Sequence, residues 1–406
     1  MKYGLIADRV GHSFSAEIHR QLFEYEYELK AIAPDTLASF LESKDFCAIN
    51  VTIPYKEAVI PYLNEISDTA RTIGAVNTIV NDGGRLIGYN TDYYGLRYLI
   101  EHNGIDLRDK KVLILGSGGT SKTAFTVAKD LGCGTAWRVS RTAKDGCITY
   151  EHAASFHKDA DIIINTTPCG MFPHIGESAV ALSDYPALKG VIDVVYNPLR
   201  SRLVCDAAER NIPAVGGLYM LVAQAAFAAE KFVSKSVPKA RIDEIYHRMF
   251  AQKQNIVLIG MPGCGKSSVG KRLAEQLDMK FVDTDEEIVL REGRSIPEIF
   301  ESVGENGFRE IEQQVIRDLS AYQHTVIATG GGAVLRQENI RLLRENGRLY
   351  FIDRSLEQLI PTEDRPLSAS REALEQRYRE RYDLYRNRCD VHIRSTNGIE
   401  ETVNDY

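Results

Sequence analysis

Two glycine-rich loops of different design stand in this chain of 406 residues, each after a short apolar run and before a helical pattern. One is NIVLIGMPGCGKSSVG, which fits G-x-x-x-x-G-K-[ST] with Gly260, Gly265, Lys266 and Ser267. Such a loop cradles nucleotide phosphates on backbone N–H groups, with the lysine on the β- and γ-phosphates and the serine hydroxyl on Mg2+. Gly263, Cys264 and Ser268 belong to the same nucleotide-binding stretch. The other loop is KKVLILGSGGTSKTAF, with Gly116, Gly118 and Gly119. Glycines there let the backbone approach a dinucleotide pyrophosphate at a helix N-terminus. Ser121 departs from that pattern, because a third Gly or Ala is expected at its position.

After the first loop, the apolar run 135–139 ends at Ser140, Arg141 and Thr142. An acidic residue there would hold the ribose 2′-OH of NAD. An arginine among hydroxyls suits a 2′-phosphate, so the site is expected to prefer NADP, the alternative being a solvated surface arginine. One hydride-transfer site and one phosphoryl-transfer site on a single polypeptide imply two enzymes fused.

Four segments ahead of the first loop place small polar side chains at strand ends and turns. They are HSFS (12–15), NVTIPYK (50–56), GAVNT (74–78) and GYNTDYYG (88–95). Together they offer hydroxyls, amides, Lys56 and Asp92, which is what a small polyhydroxylated acid requires beside an acid/base group. A surface salt bridge between Lys56 and Asp92 is the plainer alternative. Beyond the second loop, VDTD places Asp283 and Asp285 two residues apart at a strand end and therefore on one side. One would serve the Mg2+ shell, the other a hydroxyl of the acceptor. GFREIE supplies Arg309, TGGGA supplies Gly330, Gly331 and Gly332, and RYDLYR supplies Arg381. Two arginines converging on a carboxylate would fix an anionic acceptor, although helix-surface ion pairing is the ordinary role of arginines in so charged a segment.

These residues must be positioned by a frame of short apolar strands alternating with helices. The strand-like runs are 4–7, 48–53, 112–115, 135–139, 162–164, 191–195, 256–259, 280–282, 325–328 and 349–352. Fully apolar strands in a βα alternation imply parallel sheets covered on both faces. The near-apolar run 217–229 reads as a buried helix, too short to span a bilayer. A polar helical tail precedes a boundary near Lys253. With 49 basic and 56 acidic residues the net charge is −7, which argues against a nucleic-acid coat. Seven scattered cysteines without C-x-x-C spacing fit reduced thiols. The first residues carry too few apolar side chains before Asp8 and Arg9 for a signal peptide. The protein is therefore expected to be cytoplasmic, with no membrane and no nucleic-acid partner; its oligomeric state is left open.

The four polar segments, with INTTPCGM (164–171), DVVYNPLRSRL (193–203) and GGLYMLVAQAA (216–226), resemble the shikimate dehydrogenase family in order and spacing over about 1–250. The resemblance makes Lys56 and Asp92 the catalytic pair. It makes Ser13, Ser15, Thr52, Asn77 and Gln224 substrate ligands, and adds Gly217 to the NADP site. Ala16 departs from it, since a proline usually follows the second serine. The second loop, VDTD, GRSIPEIFESVGENGFREIE and DRPL (364–367) resemble shikimate kinase over about 254–406. There the resemblance implies Lys266 and Asp285 as catalytic, Asp285, Arg309, Gly331 and Arg381 as acceptor ligands, Ser267 and Asp283 at the metal, and Arg365 as a lid arginine on the ATP phosphates. LIPTED, just before Arg365, lacks the further basic residue expected on a lid.

The expected fold is α/β: a two-domain dehydrogenase with a Rossmann-type NADP domain, then a P-loop kinase with a parallel sheet. Residues 1–101, completed by helices in 218–250, would bind substrate; 102–217 would bind NADP(H); 254–406 would form the kinase. The expected activity is reduction of 3-dehydroshikimate to shikimate with NADPH, then phosphorylation of shikimate to shikimate 3-phosphate with ATP and Mg2+. The alternatives are a non-catalytic sensor of shikimate or quinate, and quinate oxidation in the first half.

Overall fold

A computed structural model describes residues 1–10, 14–359 and 370–394. The chain divides into two compact units. The first comprises Met1–Met171, Glu177–Asn197 and Asp206–Met249; the second comprises Phe172–Gly176, Pro198–Cys205 and Phe250–Tyr406.

The first unit contains two six-stranded sheets. In one, the spatial order is Tyr27–Ala31, Tyr3–Ala7, Ala48–Val51, Thr78–Asp82, Arg85–Tyr89, Glu65–Ile66. This sheet is mixed, where the apolar runs alone implied parallel sheets. Ala48–Val51 pairs antiparallel with Thr78–Asp82, which pairs antiparallel with Arg85–Tyr89. The cause is local. Gly83 and Gly84 take φ of +58° and +93°, the left-handed backbone that a two-residue hairpin demands. The hairpin brings the polar segment after residue 74 and the polar segment after residue 88 to the same sheet end.

The second sheet of this unit is fully parallel, in the order Ala214–Val215, Gly190–Asp193, Ile162–Asn165, Lys111–Leu115, Thr135–Ser140, Cys147–Thr149. Strand order reverses beside Lys111–Leu115. In such sheets ligands bind at that point, outside the carboxyl ends of the strands, and there the first glycine loop leaves the sheet. Helix Leu218–Val233 is buried over most of its length, as its apolar sequence requires. It crosses helix Asp92–His102 at Gly95, where an added Cβ would lie 2.7 Å from the Met220 carbonyl and 2.8 Å from the Gln224 Cβ.

The second unit is built on one parallel sheet in the order Lys280–Asp283, Thr325–Ala328, Asn255–Ile259, Gly347–Asp353, Val391–Arg394. The strand that feeds the phosphate loop is central and buried. Val257, Leu258, Val326, Ile327, Leu349 and Phe351 form the sheet's part of the core. Within this unit the Leu199 N–H donates to Asn346 Oδ1 at 2.9 Å, and Arg202 Nη1 reaches both Glu338 carboxylate oxygens at 2.9 and 3.1 Å. Among the described residues no helix is long and apolar enough to cross a membrane. None of the seven cysteines is in a disulfide.

Candidate active sites

In the first unit, Lys56 lies in the turns after strand Ala48–Val51, and Asp92 is the first residue of helix Asp92–His102. A carboxylate at a helix N-terminus is favoured by the helix dipole. Lys56 Nζ donates to Asp92 Oδ2 at 2.5 Å, with the two side chains only 14% and 10% exposed. Burial of this kind rules out the ordinary surface salt bridge. The hairpin supplies the rest. Asn77 Oδ1 accepts from the Thr91 N–H at 2.7 Å, and Asn77 Nδ2 donates to Thr91 Oγ1 at 3.0 Å. Thr91 Oγ1 lies 3.5 Å from Gln224 Oε1 on the crossing helix. Lys56, Asp92, Asn77 and Gln224, distant in sequence, thus share one site, and Thr91 joins them. Thr91 was not singled out from sequence, although it stands in GYNTDYYG one residue before Asp92.

Ser15 opens helix Ser15–Leu22 and is buried; Thr52 follows strand Ala48–Val51 by one residue. Ser13 lies outside the described residues.

The first glycine loop abuts this site. A Cβ at Gly119 would sit 3.3 Å from the Ala75 Cβ and 3.7 Å from Lys56 Cβ and Cδ. Gly116 has φ +126°, and a side chain there would strike Thr166 Oγ1 at 2.5 Å. Gly118 caps helix Gly119–Asp130. Ser121 is fully buried, and its hydroxyl donates to the Gly118 carbonyl at 2.8 Å. The departure from the glycine pattern is therefore a small side chain that satisfies itself locally. Ser140 is buried at the end of strand Thr135–Ser140 and donates to the Thr142 carbonyl; Arg141 and Thr142 are exposed beyond it. Gly217 precedes helix Leu218–Val233, and a Cβ there would lie 2.1 Å from the Val194 carbonyl oxygen.

In the second unit, Gly260, Gly263 and Gly265 all have positive φ, at +151°, +79° and +97°. These are left-handed backbone conformations that glycine adopts readily, and the loop runs directly into helix Lys266–Leu277. Lys266 is buried, and its Nζ donates to the Gly260 and Met261 carbonyls at 2.9 and 3.0 Å. Cys264 is fully buried, its Sγ 3.9 Å from Lys266 Nζ. Ser268 follows Ser267 in the helix's first turn. Ser267 Oγ donates to Asp283 Oδ2 at 2.5 Å, so the hydroxyl and carboxylate expected at Mg2+ already touch. That oxygen pair suits a hard cation.

The geometry of the two aspartates corrects the sequence reading. They do not project together from one strand. The strand ends at Asp283, which caps helix Thr284–Glu292 by accepting from the Asp285 N–H at 2.9 Å. Thr284 begins that helix, and the Asp285 carboxylate lies against the triple-glycine loop. There a Cβ at Gly330 would lie 2.5 Å from Asp285 Oδ1.

Each glycine of that loop is forced by a different neighbour. Gly331 packs on the Pro262 ring, where an added Cβ would lie 2.8 Å from the ring's Cδ and Cγ. Gly332 has the Arg309 guanidinium where a Cβ would be, at 2.0 Å. Arg309 and Arg381 are only 7% and 3% exposed, so neither lies on a helix surface, although Arg309 does pair along its own helix with Glu312 and, at 3.4 Å, with Glu305. Arg309 Nη1 donates to Glu312 Oε2 at 2.9 Å, and Arg381 Nη1 to the Gly331 carbonyl at 3.2 Å. Burial lowers the Arg381 pKa, and the neighbouring Arg309 charge adds to that. Burial raises the Glu312 carboxyl to about 7 against the opposing pull of Arg309. Arg309 Nε, Arg381 Nε and Glu312 Oε1 have no hydrogen-bond partner among the described residues. Glu312 and Tyr385 escaped the sequence reading. Their only signal was position, three residues after Arg309 and four after Arg381, on the same helical faces. Arg365 lies outside the described residues.

A shikimate dehydrogenase of Clostridium beijerinckii, named as NADP(+)-dependent, is 38% identical over 245 residues, covering 56% of this chain and 90% of its own length. The chain belongs to the shikimate dehydrogenase family. Residues 5–79 match the model of the shikimate dehydrogenase substrate-binding domain, and residues 262–406 match that of shikimate kinase. The crystal structure of shikimate dehydrogenase 1 of Peptoclostridium difficile superposes with a TM-score of 0.58 at 34% identity, covering 61% of this chain and 98% of its own. That of the Thermus thermophilus enzyme, in complex with NADP(H) and shikimate, gives 0.55 at 26% identity, covering 61% and 99%. The chain thus joins a shikimate dehydrogenase part to a shikimate kinase part and is a bifunctional enzyme.

Proposed function

We propose that the first part reduces 3-dehydroshikimate to shikimate with NADPH and that the second transfers the γ-phosphoryl group of ATP to the shikimate 3-hydroxyl. In this reading 1–101 with helices in 218–250 binds the substrate, 102–217 binds NADP(H), and 254–406 is the kinase. The observation that supports the pairing best is chemical. The buried Lys56–Asp92 pair stands against the cofactor loop at Gly119, while the second unit buries two arginines with unmet donors beside a phosphate loop.

NADPH, when bound, would supply the hydride for the substrate's carbonyl carbon. Lys56 Nζ gives its proton to the oxygen that becomes the new hydroxyl, and Asp92 holds the ammonium in line. Asn77, Gln224, Thr52, Ser13 and Ser15 bind the substrate's hydroxyl and carboxylate groups. Arg141 would meet a 2′-phosphate with a charge-assisted bond, and the small loop glycines admit the pyrophosphate. In the kinase, Ser267 with Asp283 would hold the Mg2+ that ATP brings. Lys266 would leave its two carbonyl partners for the phosphates, and Arg365 would pair with them. Arg309 and Arg381 would take the acceptor carboxylate, with Gly331 beside it, while Asp285 orients the attacking hydroxyl.

Two half-reactions test the proposal. NADPH oxidation should depend on 3-dehydroshikimate, and ADP release should depend on shikimate. A protein that binds shikimate and does neither is a sensor, and one that oxidises quinate with NAD instead has another substrate.

A further inference from the structure

We infer that Tyr385 is a positioning residue of the phosphoryl-acceptor pocket: its hydroxyl holds the Gly331 carbonyl, and through that carbonyl it aims Arg381. The inference rests on the reading of this pocket as the kinase acceptor site.

Tyr385 is fully buried on helix Arg371–Arg388, and its Oη donates to the Gly331 carbonyl at 2.5 Å. The same carbonyl accepts from Arg381 Nη1 at 3.2 Å. Residues 381 and 385 are one helical turn apart, so two donors of one helix face converge on a single acceptor. The loop that carries this acceptor has no side chain of its own at 330, 331 or 332. Glycine backbone is the least self-restrained, so the peptide at Gly331 depends on outside partners. The shorter of its two bonds comes from Tyr385. The ring itself is fixed, stacked on Phe351 of strand Gly347–Asp353 with centroids 5.3 Å apart and planes at 18°. Phe351 pairs with Ile259, the last residue of the strand before the phosphate loop. Burial pushes the phenol above its ordinary pKa, which keeps the donor proton in place. Without the hydroxyl, the Gly331 carbonyl keeps only the longer arginine bond, and Arg381 loses the fixed post that orients it.

The full-length chain with Tyr385→Phe tests this, since the change removes one oxygen and keeps the ring. The KM for shikimate should rise about 10-fold, a loss of one buried hydrogen bond, with the KM for ATP within about twofold and kcat within about threefold. Dehydrogenase turnover in the same sample normalises protein amount. A purely structural role would lower the melting temperature and the active fraction without moving either KM. An unchanged shikimate KM, or an equal rise for ATP, overturns the inference. Arg381→Ala in parallel separates the two levels. If it leaves shikimate KM unmoved, the pocket reading fails; if it raises KM and Tyr385→Phe does not, only the role of Tyr385 fails. Should Tyr385→Phe not fold, Phe351→Leu keeps the hydroxyl and frees the ring. It should raise the same KM about threefold, and an unchanged KM would overturn the inference.

Discussion

The two candidate sites solve recognition in opposite ways. In the first unit the polar groups satisfy one another before any ligand arrives: Lys56 with Asp92, Asn77 with Thr91, Thr91 near Gln224. In the second, Arg309, Arg381 and Glu312 are buried with donors and an acceptor unmet. A buried guanidinium without a full set of partners is costly, so such a site is poised for an anion. The first site suits chemistry in which one proton moves through a prepared pair. The second suits capture of a carboxylate, with the phosphoryl group handled by a separate loop. The contrast extends to titration. Burial holds His19 of the first unit near 3, while burial raises Glu345 of the second to about 8 against the pull of Arg202.

The largest expected effect falls on proton transfer. Lys56→Ala should lower kcat of the reduction by about 10²–10⁴-fold and leave shikimate phosphorylation unchanged, as steady-state assays of both activities will show. A variant that reduces at the normal rate would move the acid elsewhere. Next comes the anion pocket. Arg309→Ala or Arg381→Ala should raise the KM for shikimate by about 30-fold or more with ATP binding near normal, because a buried arginine–carboxylate contact is lost. If ATP binding falls instead, the arginines belong to the nucleotide. Arg141→Ala should weaken NADPH by about 10-fold and NADH hardly at all, since only NADPH carries the 2′-phosphate. Equal losses would make Arg141 the solvated residue that its exposure also permits.

Stability should separate the units by pH. His19 is neutral when folded, so its contribution is complete above pH 6.5 and is lost as pH falls from 6.5 toward 3. Glu345 runs the other way. Its folded pKa lies above the unfolded value of 4.5, so the second unit is most favoured below that pH and loses stability as pH rises through 8. Glu345→Gln should remove that slope between pH 4.5 and 8, a gain of several kcal/mol at pH 9 by denaturant titration. A slope that persists in the variant would assign it to another group.

Legibility followed the same divide. The glycine loops, the parallel strands around them and Lys56–Asp92 were evident because each sits in a short motif whose function constrains its spacing. The mixed sheet was not, since its antiparallel strands Thr78–Asp82 and Arg85–Tyr89 are only partly apolar and the hairpin signal lies in Gly83–Gly84. The Asp283–Asp285 geometry was misjudged because a strand gives way to a helix between them, and a period of two does not survive that change. Glu312 and Tyr385 act by packing against residues the motifs did name, which no local pattern reveals. Gly95 belongs with them: it is required by a neighbour distant in sequence, Gln224.

The central claim is that one chain holds two complete and chemically distinct sites. It is tested most directly by supplying the purified protein with 3-dehydroshikimate, NADPH, ATP and Mg2+ and following NADPH, ADP and shikimate 3-phosphate together. One NADPH should be oxidised and one ADP formed per shikimate 3-phosphate, with Lys266→Ala halting the sequence at shikimate. Shikimate accumulating in the unaltered protein without phosphorylation, or ADP formed without NADPH oxidation, would contradict it.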